Sequence, residues 1–271
     1  MWVKELLTID NLNMIAFLLS IIVLLYAAYT DLKIREVPDK VWIIYFPLAS
    51  ILLIFRILLN PELLIVTLMS IVIIFCISLS MLYVGLFGGA DFKAFLCLNI
   101  ALPVNPLPLL SLLPSVNPIF SLSIFYNAYF FSISMIIYSI LMNINWKIVK
   151  GKELFSNLPK TSFIMKIMAL ISGYKTEFEN LEKKVYLYPI EEFSSDNGKS
   201  YSRLRLFTNA EIDRDKLIDI LRTNFKEIDK AEVWVSPATP LIFFVLLALI
   251  SNVIIGDIFP WLIFQMFSIF F

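Results

Sequence analysis

The chain has 271 residues, of which 59% are hydrophobic and only 16% are charged, and its formal net charge is zero. A soluble domain usually carries about 25% charged residues, so this composition predicts a polytopic α-helical membrane protein. The chain contains no histidine, which excludes Ser-His-Asp and Cys-His catalysis, HExxH zinc sites and haem ligation by histidine. Its two cysteines, Cys76 and Cys97, lie singly in apolar runs, so we expect inert buried thiols and no metal or other cofactor.

Apolar runs near the length that crosses a bilayer, about 20 residues, predict six transmembrane helices. These spans are placed at residues 13–29, 41–59, 63–84, from 92 onward, 119–142 and 241–255. No basic region precedes the first run and no small-residue cleavage site follows it, so we expect a retained span instead of a signal peptide. Five prolines between Pro103 and Pro118 predict that the fourth span is short or ends in a broken apolar loop.

A polar segment separates the last two predicted spans. Sixteen of the 22 Lys and Arg residues lie between Lys147 and Lys230. This predicts a small cytoplasmic α+β domain at residues 143–236, with the membrane domain at residues 1–142 and 237–271.

Periodicity and turn residues predict the elements of this polar domain. They are an amphipathic helix at 162–171, strands at 184–188, 201–207 and 232–235, a turn at 195–198, and a charged helix at 210–225 capped by Thr208 or Asn209. The apolar face of the first helix is suited to lie on the membrane surface.

Basic residues near the span ends are concentrated on one side of the membrane. The loops after spans 1, 3 and 5 contain seven of them, namely Lys33, Arg35, Lys40, Lys93, Lys147, Lys150 and Lys152. The opposite loops contain only Lys4 and Arg56. The positive-inside rule therefore predicts that the first set of loops is cytoplasmic and that both termini lie outside.

Two aspartates are predicted to lie at the same cytoplasmic membrane face. Asp31 ends span 1 and Asp91 begins span 4, so the two carboxylates can face each other if these spans are neighbours. A close carboxylate pair holds one proton, so that the charged member activates water and the neutral member donates to a scissile carbonyl. This chemistry predicts intramembrane aspartyl hydrolysis. Taken singly, Asp31 can be the polar end of a span and Asp91 an N-cap.

The segment before Asp91 holds three glycines, Gly85, Gly88 and Gly89. The spacing of Gly85 and Gly89 allows close packing of helices, whereas Gly88 and Gly89 can break the helix and admit an extended peptide beside Asp91. Lys93 is predicted either to anchor the span at the interface or to interact with Asp91.

The other acids near span ends are assigned different roles. Asp39 shares the cytoplasmic loop with Asp31 and is predicted to be solvated. Glu62 and Asp257 fall on the opposite side, too far from Asp31 to share a water, and Asp257 is expected to end a helix.

The chain resembles the type IV prepilin peptidases in two aspartate regions. Their first conserved aspartate region is similar to the segment from Tyr29 to Asp39, followed by Val41 and Trp42. Their second, the GxGD motif shared in outline with presenilin-type proteases, is similar to Gly88-Gly89-Ala90-Asp91-Phe92-Lys93. Ala90 stands where the motif has its last glycine.

The C-terminal part resembles the archaeal preflagellin peptidase branch of that family. The similar segments are Glu232–Pro237, the apolar run at 240–255, and Ile255-Gly256-Asp257. The placing of a polar domain between spans 5 and 6 is also similar.

This resemblance implies a membrane aspartyl endopeptidase that removes the short basic signal peptide of preflagellins or pilin-like precursors at the cytoplasmic membrane face. The motif-matched residues are Asp31 and Asp91 as the catalytic pair and Gly88, Gly89, Ala90 and Lys93 as their support. The implied partners are the precursor protein and the lipid bilayer, with no nucleic acid and no cofactor. Glu36 and Asp39 either meet the basic leader electrostatically or form a solvated acidic loop. The cysteine pairs associated with N-methylation in bacterial enzymes are absent from the sequence, so the resemblance implies a protease alone.

The alternative from another class is a proton- or ion-coupled transporter that uses the same carboxylates, because intramembrane acids and broken helices are typical of transporters. Against it, both aspartates lie near one surface and the sequence has no internal repeat. A third interpretation, a non-catalytic assembly subunit, requires the aspartate pair to be accidental.

Overall fold

The structure is a computed structural model that describes residues 8–113, 117–156, 158, 161–196, 199–204, 214–224 and 232–270. Its helices in chain order are α1 (Ile9–Ile34), α2 (Asp39–Leu59), α3 (Leu63–Tyr83), α4 (Gly89–Ala101), α5 (Phe120–Lys150), α6 (Phe163–Ser172), α7 (Phe178–Lys183), α8 (Arg214–Asn224), α9 (Leu241–Ile254) and α10 (Ile258–Phe270). Its strands are β1 (Tyr174–Glu177), β2 (Leu187–Pro189), β3 (Glu191–Asp196), β4 (Lys199–Leu204) and β5 (Glu232–Pro237).

The chain divides into two compact units. Unit 1 comprises residues 1–132 and 240–271, and unit 2 comprises residues 133–239. Unit 1 contains α1 to α4, the first part of α5, α9 and α10. Unit 2 contains the rest of α5 and every element from α6 to β5.

Four helices, α1, α2, α3 and α5, are long and apolar enough to span a bilayer. The helices α9 and α10 pass the same test only as a pair, which is bent by 66° at its break. The described residues thus contain four or five candidate spans, and the predicted count of six is not confirmed. The long helices expose apolar side chains, such as Ile22 at 66% and Ile65 at 67%, as a membrane protein does toward lipid.

The helix α4 is too short to span a bilayer and is surrounded mostly by protein. It has 13 residues, whereas about 20 are needed to cross the hydrocarbon core. Ala94 and Leu98 are fully buried, and α4 packs on α2 and α3 and also contacts α1. The chain beyond α4 is irregular, as its prolines predict, and the Leu113 backbone N–H donates to the Ile255 carbonyl at 2.7 Å.

Arg56 is buried inside unit 1 in the last turn of α2. Counting it among the basic loop residues that predict the membrane orientation was therefore wrong. Its side chain has no exposed surface. Nη2 donates to the Ala101 carbonyl at 2.5 Å, and Nη1 donates to Asn13 Oδ1 at 3.4 Å. The guanidinium therefore ties α2 to α1 and to the C-terminal end of α4.

Unit 2 is an α+β arrangement with two antiparallel sheets. The strand β5 is central between β1 and β2, and β3 pairs with β4 as a hairpin. Its main core consists of Tyr174, Phe178, Leu181, Leu187, Ile218, Leu221, Val233 and Val235. A second cluster packs Ala169, Leu158, Ile190 and Leu204 around Trp234.

Most predicted elements of the polar domain have a counterpart among the described residues. The amphipathic helix predicted at 162–171 is α6, the strand predicted at 232–235 is β5, and β4 overlaps the strand predicted at 201–207. The strand predicted at 184–188 corresponds to β2, which begins at Leu187 and ends at Pro189. The tip of the predicted turn at 195–198 lies outside the described residues. So do the start of the charged helix and its predicted caps, whereas α8 is that helix's described part.

The helix α5 continues to Lys150, past its predicted end at residue 142. Asn143 is buried in this extension. Its Nδ2 donates to the Gly173 carbonyl at 2.8 Å, and its Oδ1 accepts from the Lys175 backbone N–H at 3.1 Å. Because the backbone of unit 2 satisfies the amide, this polar residue does not end the helix. The predicted boundary between residues 142 and 143 falls inside a continuous helix.

A largely buried ion pair fixes the edge of the β1–β5 pairing. Lys175 Nζ lies 2.9 Å from Glu232 Oε2, and Lys152 Nζ lies 2.5 Å from Glu232 Oε1. Lys175 is only 2% exposed and Glu232 is 11% exposed. Burial raises the pKa of Glu232, but the hydrogen bonds from Lys152 and Lys175 outweigh it, and the pKa lies below its ordinary value.

We expect Glu232→Gln to destabilise unit 2 by about 3 kcal/mol, because it leaves the Lys175 charge buried without a counter-charge. Since the folded pKa of Glu232 is lowered, its stabilisation is present above the unfolded pKa and is lost as the pH falls through the folded pKa. Hydrogen exchange of the full chain should show faster exchange of the β1 and β5 amides.

The matched control is Glu179→Gln. Glu179 pairs with Lys183 at the surface, where both side chains are about two-thirds exposed, and such pairs contribute little. Equal acceleration of exchange in both variants would contradict the importance assigned to the buried pair.

Candidate active site

Asp31 lies in the last turn of α1, where the chain turns away toward α2. The helix ends at Ile34, and the next residue, Arg35, is its C-cap. The Arg35 backbone is left-handed with φ of 59°, and its N–H donates to the Asp31 carbonyl at 3.1 Å. Pro38 follows closely, and a proline disfavours helical backbone in the residue before it. The end of α1 is thus determined locally, and it leaves Asp31 at the helix terminus.

The Asp31 carboxylate is incompletely paired. Its Oδ2 is buried and has no hydrogen-bond partner among the described residues. The Arg35 side chain interacts with it electrostatically, and the Ile242 backbone N–H lies nearby. Ile242 lies in the first turn of α9, where backbone N–H groups have no partner within the helix and the helix dipole favours negative charge. A carboxylate oxygen left buried and unpaired is costly and indicates a functional position.

Asp91 is the third residue of α4, and its side chain caps that helix. Its Oδ2 accepts a hydrogen bond from the Gly88 backbone N–H at 2.9 Å. Gly88 and not Asp91 is the N-cap residue, so the predicted N-cap role was wrong, although the Asp91 side chain caps the helix from its third position. The Asp91 carboxylate also interacts electrostatically with Asp31. Unit 1 thus brings together the two aspartates that lie 60 positions apart in the sequence.

The glycines before Asp91 form a loop and not a helix interface. Gly85 has a φ of +79°, which favours glycine. A Cβ added to Gly85 or Gly89 would meet no atom within 4 Å. The predicted close helix packing through these two glycines was wrong. Gly88 is extended and precedes α4, and Gly89 is its first residue, so the predicted helix break is present.

Ala90 fits the position where the family motif has glycine. It lies in the first turn of α4, and Arg35 is the one non-glycine residue with positive φ in the described parts of the chain. The backbone at Ala90 therefore does not require the freedom of glycine.

Lys93 forms an ion pair with Asp39 instead of the predicted interaction with Asp91, and its role as an interface anchor stays a prediction. Its Nζ lies 2.6 Å from Asp39 Oδ1, which links α4 to the start of α2. Lys93 is 42% exposed and Asp39 70% exposed, so Asp39 faces solvent as expected. Glu36 is exposed in the segment between α1 and α2.

Tyr129 lies at the site although the sequence analysis did not identify it. It interacts electrostatically with Asp91. Its hydroxyl oxygen is buried without a hydrogen-bond partner among the described residues. Its ring stacks on Phe87, with centroids 6.3 Å apart, and packs on Phe125, with centroids 4.9 Å apart. The sequence carries no signal that separates Tyr129 from Tyr126 and Tyr138 of the same helix.

Asp257 belongs to a different place in unit 1. It is 2% exposed, and its Oδ2 accepts from the Asn117 backbone N–H at 3.0 Å. Its carbonyl accepts the Trp261 N–H at 3.1 Å, so Asp257 directly precedes α10. The expectation that Asp257 ends a helix was wrong, because α9 ends at Ile254. Among the described residues, no group of three or more acidic or cysteine side chains is placed to hold a metal ion.

Two family models match the chain. The model described as the type IV leader peptidase family matches residues 18–142, which include both aspartates. The model described as the archaeal peptidase A24 C-terminus, type II, matches residues 165–258.

Two curated relatives match over nearly the whole length. A preflagellin peptidase of Methanocaldococcus jannaschii is 28% identical over 252 residues, which cover 90% of this chain and 95% of the relative. A preflagellin peptidase of Methanococcus maripaludis is 24% identical over 254 residues, which cover 90% of this chain and 96% of the relative. Residues 18–142 are thus similar to the type IV leader peptidase family, and the chain as a whole is similar to preflagellin peptidases over nearly its full length.

Proposed function

We propose that this protein is a membrane aspartyl endopeptidase that cleaves the short basic leader of preflagellin or type IV prepilin-like precursors, with Asp31 and Asp91 as the catalytic pair. The observation that carries the proposal is that Asp31 and Asp91, each at a helix end, lie close enough to interact electrostatically on helices that pack against each other. The match of residues 18–142 to the type IV leader peptidase family supports peptidase chemistry, and the names of the relatives support this substrate class.

The proposed mechanism uses one proton shared by the pair. The ionised carboxylate takes a proton from water as the water oxygen attacks the scissile carbonyl carbon. The neutral carboxyl group gives its proton to the carbonyl oxygen, which forms a tetrahedral intermediate without a covalent acyl-enzyme. The intermediate collapses when a proton reaches the amide nitrogen and the C–N bond breaks.

The Gly85–Gly89 loop is proposed to admit the substrate backbone beside Asp91. Open space around Gly85 and Gly89 supports this role, because an extended peptide needs close access to the carboxylates. Non-helical backbone at membrane depth is compatible with a bilayer only where it is buried or lines a cavity.

We further propose that the site faces the cytoplasm, that the chain spans the membrane several times with both termini outside, and that residues 143–236 form a cytoplasmic domain. The basic residues beside the aspartates, Lys33, Arg35 and Lys93, support this orientation. The exposed Glu36 and Asp39 are proposed to attract the basic leader, since complementary charge speeds encounter.

A cleavage assay tests this function. Purified protein in lipid is mixed with a preflagellin precursor, and the product is identified by its loss of mass and its new N-terminus. Cleavage at the leader boundary supports the proposal. Proton-coupled flux into vesicles without proteolysis would favour the transporter that uses the same carboxylates.

Tyr129→Phe is expected to lower kcat about tenfold, because the phenol, unpaired in the free protein, is then not available to donate one hydrogen bond to a charged group during the reaction. The ring packing against Phe87 and Phe125 is retained, so KM and thermal stability should stay unchanged. Tyr126→Phe is the control on the same helix, because the Tyr126 hydroxyl contacts Ser123 at 2.9 Å instead of the aspartates. Equal losses in the two variants would contradict a role specific to Tyr129.

A further inference from the structure

The helix α6 of unit 2 presents an apolar outer face. Ser162 caps its start by accepting the Met165 backbone N–H at 3.3 Å, and Gly173 follows its end. The large apolar side chains on one side of the helix are all exposed. They are Phe163 at 77%, Ile164 at 70%, Ile167 at 41%, Met168 at 41% and Ile171 at 42%. Their spacing of one, three and four residues places them on one face.

The opposite side of α6 is held by the core of unit 2. Ala169 is fully buried in the cluster around Trp234, and Leu170 packs against the same cluster. The Trp234 ring stacks on Phe155 with centroids 4.7 Å apart. These core contacts hold α6 in place. Its outer face is therefore exposed on a firmly packed helix.

The face of α6 continues into the end of the candidate span α5. A groove of about 410 Å³ lies between the two helices. Its lining residues are Ile140, Asn143, Ile144, Lys147, Leu154, Ile167, Leu170 and Ile171. On α5 itself, Ile144, Ile148 and Val149 are exposed at 48%, 76% and 69%. Apolar surface thus runs from a membrane-spanning helix onto α6.

Residues typical of a membrane interface mark the depth of this surface. Lys150 Nζ lies 5.9 Å above the centre of the Trp146 ring, and tryptophan with lysine is typical of the headgroup level. Lys147 borders the groove, and Lys166 of α6 lies over the Phe155 ring at 5.5 Å. Lysines beside an apolar helix face can reach lipid phosphates while their stems stay in apolar surroundings.

We propose that α6 is an in-plane membrane helix, whose exposed apolar face inserts into the bilayer beside the end of α5 and whose flanking lysines contact phospholipid headgroups. The lipid bilayer is favoured over a protein partner because this surface is continuous with a span and its five exposed side chains are all apolar. The inference concerns unit 2 alone and does not depend on the proposed peptidase activity.

Spin labels in the full-length protein test this proposal. Cys76 and Cys97 are replaced by alanine, Ile164→Cys is labelled with a nitroxide, and the protein is reconstituted in phosphatidylcholine and phosphatidylglycerol vesicles. Because oxygen concentrates in lipid and a nickel chelate in water, we expect the ratio of oxygen to nickel accessibility at residue 164 to be at least about threefold that of a water-exposed label.

Val185→Cys is the matched control, since Val185 is an aliphatic residue of the same unit with 54% exposure in the turn before β2. Its label should be accessible to nickel. Met168→Cys provides a second position on the α6 face and should behave as residue 164 does. A water-like ratio at both α6 positions would overturn the proposal. Protection from both reagents that disappears when the protein is diluted with excess lipid would also overturn it, in favour of contact between two copies.

Discussion

Asp31→Asn and Asp91→Asn are each expected to lower kcat for leader cleavage at least about a thousandfold, because neither amide can exchange the proton that the reaction requires. Asparagine has nearly the shape of aspartate, so packing around either position is preserved. Single-turnover cleavage of a preflagellin precursor by purified variants measures the loss.

The Asp91 variant separates catalysis from helix capping. The asparagine amide oxygen can still accept the hydrogen bond from the Gly88 N–H, which the carboxylate accepts at 2.9 Å. The start of α4 should remain intact, and thermal stability should match the parent protein. Activity should fall all the same. An active Asp91→Asn protein would show that the residue is a cap and would sink the aspartyl mechanism.

The Asp31 variant is informative for a different reason. The Oδ2 atom of Asp31 is buried without a hydrogen-bond partner in the described parts of the chain, so the folded protein maintains an unfavourable polar group there.

Glu62→Gln is the control for both variants, because Glu62 is an exposed acid at the start of α3. It should cleave at the parental rate, and a comparable loss in this control would indicate a general effect of charge.

The long apolar helices were predictable because their composition alone determines them. The bounds of α1, α2 and α3 agree with the predicted spans to within a few residues. The amphipathic α6 was predictable in the same way, from helical periodicity and from Ser162 and Gly173 at its ends. The proximity of Asp31 and Asp91 was expected from orientation combined with a motif resemblance, and not from local pattern.

The contacts between helices were not predictable, because lipid-facing and protein-facing sides of a membrane helix are equally apolar. Lys93 pairs with Asp39, 54 positions away, and Tyr129 interacts electrostatically with Asp91. Neither interaction has a signal at short range in the sequence. Gly85 and Gly89 matched a helix-packing spacing, although the chain between them turns. Spacing identifies a face only when the residues are in one helix.

The burial of Arg56 could not be predicted from its charge and its position near a span end. A basic residue near a predicted span end is normally assigned to the interface. Here the guanidinium is fully buried and donates to the last carbonyl of α4, Ala101 O, and to Asn13 of α1. The last carbonyls of a helix lack partners within the helix and carry negative partial charge. Arg56 thus supplies the charge that the C-terminal end of α4 needs.

We expect Arg56→Ala to destabilise the protein by about 3 kcal/mol, because it leaves a cavity and removes the donors of one buried and one partly buried acceptor. Since α4 carries Asp91 at its other end, cleavage activity should also fall. Thermal unfolding in detergent micelles, followed by circular dichroism, measures the first effect, and the cleavage assay measures the second.

Lys93→Ala is the matched comparison, since Lys93 also ties α4 to α2 but does so at an exposed ion pair. An exposed pair contributes at most about 1 kcal/mol, so this variant should unfold close to the parental temperature. Arg56→Lys should recover part of the lost stability, because an ammonium group can still donate to the Ala101 carbonyl but cannot reach two helices at once. Equal stability of Arg56→Ala and Lys93→Ala would show that the end of α4 needs no buried cation, and α4 would then be positioned by apolar packing alone.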